Sequence, residues 1–121
     1  MKKLLASLLT LFSLTVFAET PMEAFEMASK GLAVLIDVRE EAEIKDGMIV
    51  NALWFQMSKT KDDKEWVTKF RKMIQNKKVF LYCRSGNRSG QMKVILEKQG
   101  IAAENIGGIM TLKEKLPLKK P

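Results

Sequence analysis

The sequence predicts an α/β domain in which a central, mainly parallel sheet carries helices on both faces. Three observations lead there. The runs Leu32 to Val38 and Lys78 to Tyr82 are short, apolar and rich in β-branched or aromatic residues, as strands buried on both faces are. Segments of helical period separate such runs, which is the alternation of a parallel sheet. A chain of 121 residues fits one domain with one modest core rather than two.

The elements follow in order. Lys2 and Lys3 precede the apolar run Leu4 to Phe17, and Val16 and Ala18 put small residues at the −3 and −1 positions of a cleavage site. This is the signal-peptide pattern, and the run falls short of the ~20 residues that span a bilayer. Residues 1–18 are therefore expected to be removed, leaving a single domain over 19–121 with no stable membrane anchor. The expected location is exported, periplasmic or secreted. Thr20-Pro21-Met22-Glu23 carries a cap, a proline suited to the first turn and a capping-box glutamate, so a helix starts there. Phe25, Met27 and Ala28 supply its apolar side, and Gly31 is its stop.

After the strand Leu32 to Val38, Glu40 to Lys45 reads as a short helix, acidic at its front and basic at its end. Ala52 to Gln56 is a second strand. Asp62 or Asp63 caps a helix reaching about Asn76, whose Trp66, Phe70, Met73 and Ile74 form one apolar stripe for core packing. Lys78 to Tyr82 is the third strand. Gln91 to Gln99 is helical in pattern, with Met92, Ile95 and Leu96 on one side and Gly100 as its stop. Asn105-Ile106 forms a last short strand before Gly107-Gly108. Met110 to Leu116 is a final helix, and Pro117 onward is expected to fray.

Composition excludes several chemistries. There is no histidine and one cysteine, so Ser-His and Cys-His pairs, histidine-bearing zinc sites, internal disulfides and thiolate clusters are closed. No metal and no cofactor is implied. The formal net charge of +7 does not point to nucleic acid, because the lysines are dispersed and no aromatic residues interleave with them as a stacking platform. A basic surface that attracts small anions is the simpler reading.

One segment carries chemistry: Cys83-Arg84-Ser85-Gly86-Asn87-Arg88-Ser89-Gly90, between the third strand and the next helix. A lone cysteine after an apolar strand is by default a small buried hydrophobe. Here Gly86 and Asn87 tolerate positive φ, so the chain can curl until successive N–H groups point inward as an anion nest at a helix N-terminus. Cys83 lies at the base of that nest. The N–H groups and the guanidinium groups of Arg84 and Arg88 favour its thiolate, which replaces activation by histidine. Two cations beside one thiolate are best explained by an anionic substrate approaching the sulfur. The alternative for either arginine is solvent or a carboxylate partner.

These residues resemble the active-site loop of the rhodanese superfamily. Ile36-Asp37-Val38-Arg39-Glu40 matches that family's early D-V-R-E motif, and Ile106-Gly107-Gly108 its late G-G turn. The resemblance covers nearly all of the chain after residue 18 and implies a rhodanese-like fold and a sulfurtransferase. Cys83 would accept a sulfane sulfur from a small anionic donor such as thiosulfate, or from a polysulfide or persulfide. A thiol or cyanide would then remove it. Ser85, Gly86, Asn87 and Ser89 would complete the anion-binding loop, and Asp37 and Arg39 would form a supporting ion pair. Cys83 and Arg88 are separated by four residues, whereas cysteine phosphatases need five to surround phosphate; a phosphatase or arsenate reductase is therefore the lesser reading. A persulfide carrier serving a protein partner without turnover is the other alternative. The family's G-H-I-x-G-A stretch is here Gly47-Met48-Ile49-Val50-Asn51-Ala52, with Met48 for histidine and Asn51 for glycine. Leu112 stands near a frequent tryptophan. These departures lie outside the loop and bear on substrate preference.

Overall fold

A computed structural model describes residues 20–121; the expected signal peptide lies outside the described residues. The elements are α1 (Pro21–Ser29), β1 (Ala33–Asp37), α2 (Glu41–Ile44), β2 (Met48–Ile49), β3 (Leu53–Trp54), α3 (Lys59–Asp62), α4 (Trp66–Ile74), β4 (Lys78–Cys83), α5 (Asn87–Lys98), β5 (Glu104–Gly108), α6 (Ile109–Leu112) and β6 (Leu118–Lys119). Four strands form a parallel sheet in the order β3-β1-β4-β5.

Side-chain alternation along the strands divides the core into two layers. Val34 and Ile36 of β1 join Val79, Leu81 and Cys83 of β4 on one face, under Trp66, Phe70 and Ile74 of α4 and Met92 and Leu96 of α5. Ala33, Leu35, Phe80 and Tyr82 point to the other face, against Ala24 of α1 and Ile109 and Leu112 of α6. All five residues of β1 are buried. That explains why this strand reads as a continuous apolar run rather than an alternating one. The α/β class with helices on both faces is as the sequence predicts.

The start of α1 is also as expected. The Glu23 N–H donates to Thr20 Oγ1 at 3.2 Å, and the Thr20 N–H donates to Glu23 Oε1 at 2.8 Å. Other boundaries differ. The helix expected to follow Asp62 or Asp63 and reach about Asn76 is α4, which starts later, at Trp66, after Asp63 Oδ1 accepts from the Glu65 N–H at 2.9 Å; the single turn α3 before it was not expected. Gln75 and Asn76 are both left-handed (φ 51° and 61°) and end α4 abruptly. The final helix is a single turn, Ile109–Leu112, after which further turns bury Leu116.

The tail expected to fray is instead paired. Val50 N–H donates to the Pro117 carbonyl at 2.9 Å, and Leu118–Lys119 form an antiparallel ladder with Met48–Ile49. Neither two-residue strand has enough sequence to show a period, so this pairing is decided by tertiary contact alone. Asn51, where the family pattern has glycine, has φ 70°, a conformation Asn tolerates better than most residues.

The register between β4 and β5 shifts by one residue, from Leu81 opposite Asn105 to Cys83 opposite Gly108. Such a bulge bends the strand locally. Here it brings Gly107 and Gly108 beneath the segment that follows Cys83. A Cβ on Gly108 would stand 2.1 Å from the Arg84 carbonyl oxygen, so only glycine lets the loop lie this close to β5.

Candidate active site

Cys83 is the last residue of the central strand β4, and its side chain is fully buried. Directly after it the chain turns through Arg84 and Ser85 to Gly86, which has φ 102° and caps α5. The left-handed Gly86 aims the following backbone N–H groups back toward the sulfur. Its own N–H donates to Cys83 Sγ at 3.0 Å, and Ser89 Oγ lies 3.4 Å from the same sulfur. Burial pushes the thiol up, but the Ser89 hydroxyl and the N–H groups of Ser89, Gly86 and Ser85 outweigh it, so Cys83 titrates below an ordinary cysteine.

The loop is tighter than the sequence suggests. Helix α5 begins at Asn87, four residues before the expected Gln91, so Asn87, Arg88 and Ser89 form its first turn. Of the two residues expected to tolerate positive φ, only Gly86 adopts it; Asn87 is helical. An early helix start brings first-turn N–H groups to the sulfur, where they act on negative charge directly. Gly90 and the polar first turn hide that start from any apolar period.

The two arginines have separated. Arg88 donates from Nη1 to Glu43 Oε1 at 2.6 Å and from Nη2 to Glu43 Oε2 at 2.7 Å. It is thus paired with a carboxylate, the alternative to facing a substrate. Glu43 lies on α2, and its Oε1 also accepts from the Glu40 N–H at 3.0 Å. The Arg88 pairing, opposed by partial burial, holds the Glu43 carboxyl at about 2. Arg84 is exposed, and among the described residues its side chain has no ion pair. It lines a cleft of about 390 Å³ together with Glu43, Met110 and Lys113.

Asp37 and Arg39 do pair, and the pair is structural in its contacts. Arg39 Nε and Nη2 donate to both Asp37 oxygens at 2.8–3.1 Å. Nη2 also donates to the Gly47 carbonyl at 2.7 Å, and Nη1 to the Glu43 carbonyl at 3.3 Å. Among the described residues neither side chain hydrogen-bonds to Cys83 or its loop. Tyr82 completes the cluster: its Oη accepts from the Ile49 N–H at 3.0 Å, and burial beside Asp37 pushes its phenol well above the usual range.

Sequence reasoning missed Glu43, Tyr82 and Asn105. Asn105 Nδ2 donates to the Gly86 carbonyl at 2.9 Å, and its Oδ1 lies 2.7 Å from Ser89 Oγ. Glu43 had one signal available, its spacing four residues after Arg39 at the start of a helix. Asn105 had none, because its partners are 16 and 19 residues away.

A buried cysteine in a ring of N–H donors at a helix N-terminus, on the central strand of a parallel sheet, agrees with a comparison of sequences. The profile of the Rhodanese-like domain matches residues 20–114. The chain belongs to this family. The rhodanese fold is found again in solved structures. A rhodanese-related protein from Thermoplasma volcanium superposes with a TM-score of 0.67 at 25% identity, covering 84% of this chain and 96% of that one. A rhodanese from E. coli, solved with anions, gives 0.57 at 30% identity, covering 73% and 98%. YtwF of Bacillus subtilis (strain 168), whose name assigns it provisionally as a sulfurtransferase, is 36% identical over 77 residues, 63% of this chain and 69% of its own. In this rhodanese domain the loop that follows the central strand runs from Cys83 to Ser89, closed from below by Gly107-Gly108.

Proposed function

We propose that this rhodanese is a sulfurtransferase that takes sulfane sulfur from thiosulfate, or a related polysulfide or persulfide, through a persulfide on Cys83. The observation that carries the reading is a single sulfur enclosed by hydrogen-bond donors, with no acid or base among its hydrogen-bond partners in the described residues. Sulfur transfer from thiosulfate needs neither. The Cys83 thiolate attacks the outer sulfur, a new S–S bond forms, the old one breaks, and sulfite leaves with the electron pair as an anion already stable in water. The product is a Cys83 persulfide anion, whose charge the same N–H donors favour. Cyanide then attacks the outer sulfur, giving thiocyanate and regenerating the thiolate; a thiol acceptor would give a persulfide of its own.

Arg84, which has no ion pair among the described residues, is the loop arginine available to the donor. Arg88, committed to Glu43 by two hydrogen bonds, is the frame of the loop in this reading rather than a substrate ligand. This also disfavours phosphate chemistry, in which the arginine that closes the loop, here Arg88, would have to face the anion. The pattern around Lys2, Lys3 and Ala18 supports export of the protein, which the N-terminal sequence of the product from its native host would test.

The deciding assay follows sulfite and thiocyanate release from thiosulfate and cyanide. Wild type is expected to turn over, and Cys83→Ser to lose on the order of 10³-fold or more. Equal rates in the two proteins would refute the proposal. A sulfur adduct on Cys83 by intact mass, with no turnover of small donors, would instead support a carrier serving a protein partner.

A further inference from the structure

The Ser89 hydroxyl has one proton and several acceptors around it. Oγ lies 2.7 Å from Asn105 Oδ1, 3.2 Å from the Gly86 carbonyl and 3.4 Å from Cys83 Sγ. The orientation of the Asn105 amide is settled by its other contacts. Nδ2 donates to the Gly86 carbonyl at 2.9 Å, and Oδ1 accepts from the Gly107 N–H at 3.0 Å. Flipping the amide would set oxygen against oxygen and N–H against N–H. Oδ1 therefore faces Ser89 as an acceptor, and the shortest contact of the hydroxyl is a donation to Asn105. Gly90 makes room for this amide: a Cβ there would stand 3.3 Å from Nδ2.

With the proton on that side, a lone pair of Ser89 Oγ is turned toward the sulfur. That suits a neutral thiol, whose S–H donates to it. It does not suit a thiolate or a persulfide anion, which needs a donor. We propose that Asn105 is a positioning residue that decides where Ser89 sends its single proton: to Asn105 Oδ1 while Cys83 is a neutral thiol, and to the sulfur once the sulfur carries charge. Asn105 thereby competes with the sulfur for one hydrogen bond, while its Nδ2 ties the Gly86 end of the loop to β5.

The charged groups around the sulfur are otherwise accounted for. Arg88 of α5 interacts with it electrostatically and is paired with Glu43 of α2, with Glu40 adding to its surroundings. Asp37 and Arg39 pair at the end of β1 beside Tyr82 of β4. On β5, Glu104 pairs with Lys78 at 3.2 Å, at the opposite end of β4 from Cys83. Arg84 faces the cleft. None of these changes in the following test.

The test is a double-mutant cycle on the ionisation of Cys83, read from the ultraviolet absorbance of the thiolate against pH. The signal belongs to one residue, since the chain has one cysteine. Its one tyrosine, Tyr82, is pushed to still higher pH. Ser89→Ala is made in the wild type, in Asn105→Leu and in Asn105→Asp. Leucine fills the same space with no acceptor; aspartate is a stronger one. Loosening of the loop by either change is common to both arms of its own pair and cancels in the step.

The step expected on Ser89→Ala is a weaker acid in every background. It should be at least threefold larger in acid constant with Asn105→Leu than in wild type, because the nearest acceptor that competes with the sulfur for the Ser89 proton is then gone, leaving only the longer contacts to the Gly86 and Gly107 carbonyls. It should be smaller than in wild type with Asn105→Asp. Should Asn105→Leu fail to fold, the aspartate arm decides alone. Equal steps across the backgrounds would overturn the proposal and leave Asn105 as a structural tether. The test does not depend on turnover, so its failure and a failure of the sulfurtransferase reading are separable.

Discussion

Two arginine–carboxylate pairs stand side by side in this domain and do different work. Asp37–Arg39 is sealed, with side chains 0% and 5% exposed, while Glu43–Arg88 is about a third open, at 28% and 32%. The first joins β1, α2 and the turn at Gly47 through six hydrogen bonds of Arg39. The second joins only α2 to the first turn of α5. The difference teaches that an arginine in the motif after β1 and an arginine in the loop after Cys83 can both be committed to carboxylates and yet contribute differently. Burial decides what each pair contributes: removing one partner of a sealed pair strands a charge, whereas an open pair exchanges its partner for water.

The largest expected effect is therefore on the sealed pair. Asp37→Asn leaves the Arg39 guanidinium buried without its counter-charge and should cost about 3–5 kcal/mol, read as a lower urea midpoint at unchanged slope. Glu43→Gln leaves Arg88 partly in water and should cost on the order of 1 kcal/mol. If the two substitutions cost the same, the contrast between the pairs is wrong.

Acid titration sharpens the contrast. Glu43 sits at about 2 in the folded chain against an ordinary 4.5. Its folded value is depressed, so its contribution is complete above pH 4.5 and is lost as the pH falls through about 2. Wild type should lose stability relative to Glu43→Gln across that window, and the gap between them should be constant from pH 5 upward. Urea midpoints at about pH 2.5, 3.5 and 4.5, with about pH 5 and 7 as the plateau, would show it.

How far the sequence revealed these features follows from the range of the interactions. Cys83 and the turn at Gly86 are legible because a nest is local: an apolar strand, a glycine and a short polar stretch carry the signal within eight residues, although the same polar stretch hides where the helix begins. The capping box at Thr20 and Glu23 is legible for the same reason. The strand interiors are legible because burial on both faces leaves an unbroken apolar run. What was not legible joins distant segments. The β2–β6 ladder needs Met48 and Lys119 brought together. Arg88 looked like a substrate ligand because its partner, Glu43, lies 45 positions away. Asn105 read as a strand residue because its amide works on a loop that precedes it by 16 to 19 residues.

The smallest effect on stability should come from the loop arginine that has no carboxylate partner among the described residues. Arg84, next to Cys83 in the chain, is exposed, and its backbone carbonyl, which accepts from the Met110 N–H at 3.2 Å, survives any side-chain change. Arg84→Ala should therefore shift the urea midpoint by no more than about 0.5 kcal/mol equivalent. Its effect belongs to the donor: loss of one charge-assisted contact to thiosulfate, worth about 1.5 kcal/mol, would raise KM roughly tenfold. Salt separates this from a structural change, because attraction between an exposed cation and an anion is screened over a Debye length of about 8 Å at physiological ionic strength. KM for thiosulfate should rise with salt in the wild type and much less in Arg84→Ala. Arg88→Gln is the control. It should lose stability with Glu43→Gln and not in addition to it, since both remove the same pair. If Arg88→Gln instead flattened the salt dependence while leaving the urea midpoint intact, the substrate cation would be Arg88, and the assignment of one arginine to the frame and the other to the donor would have to be reversed.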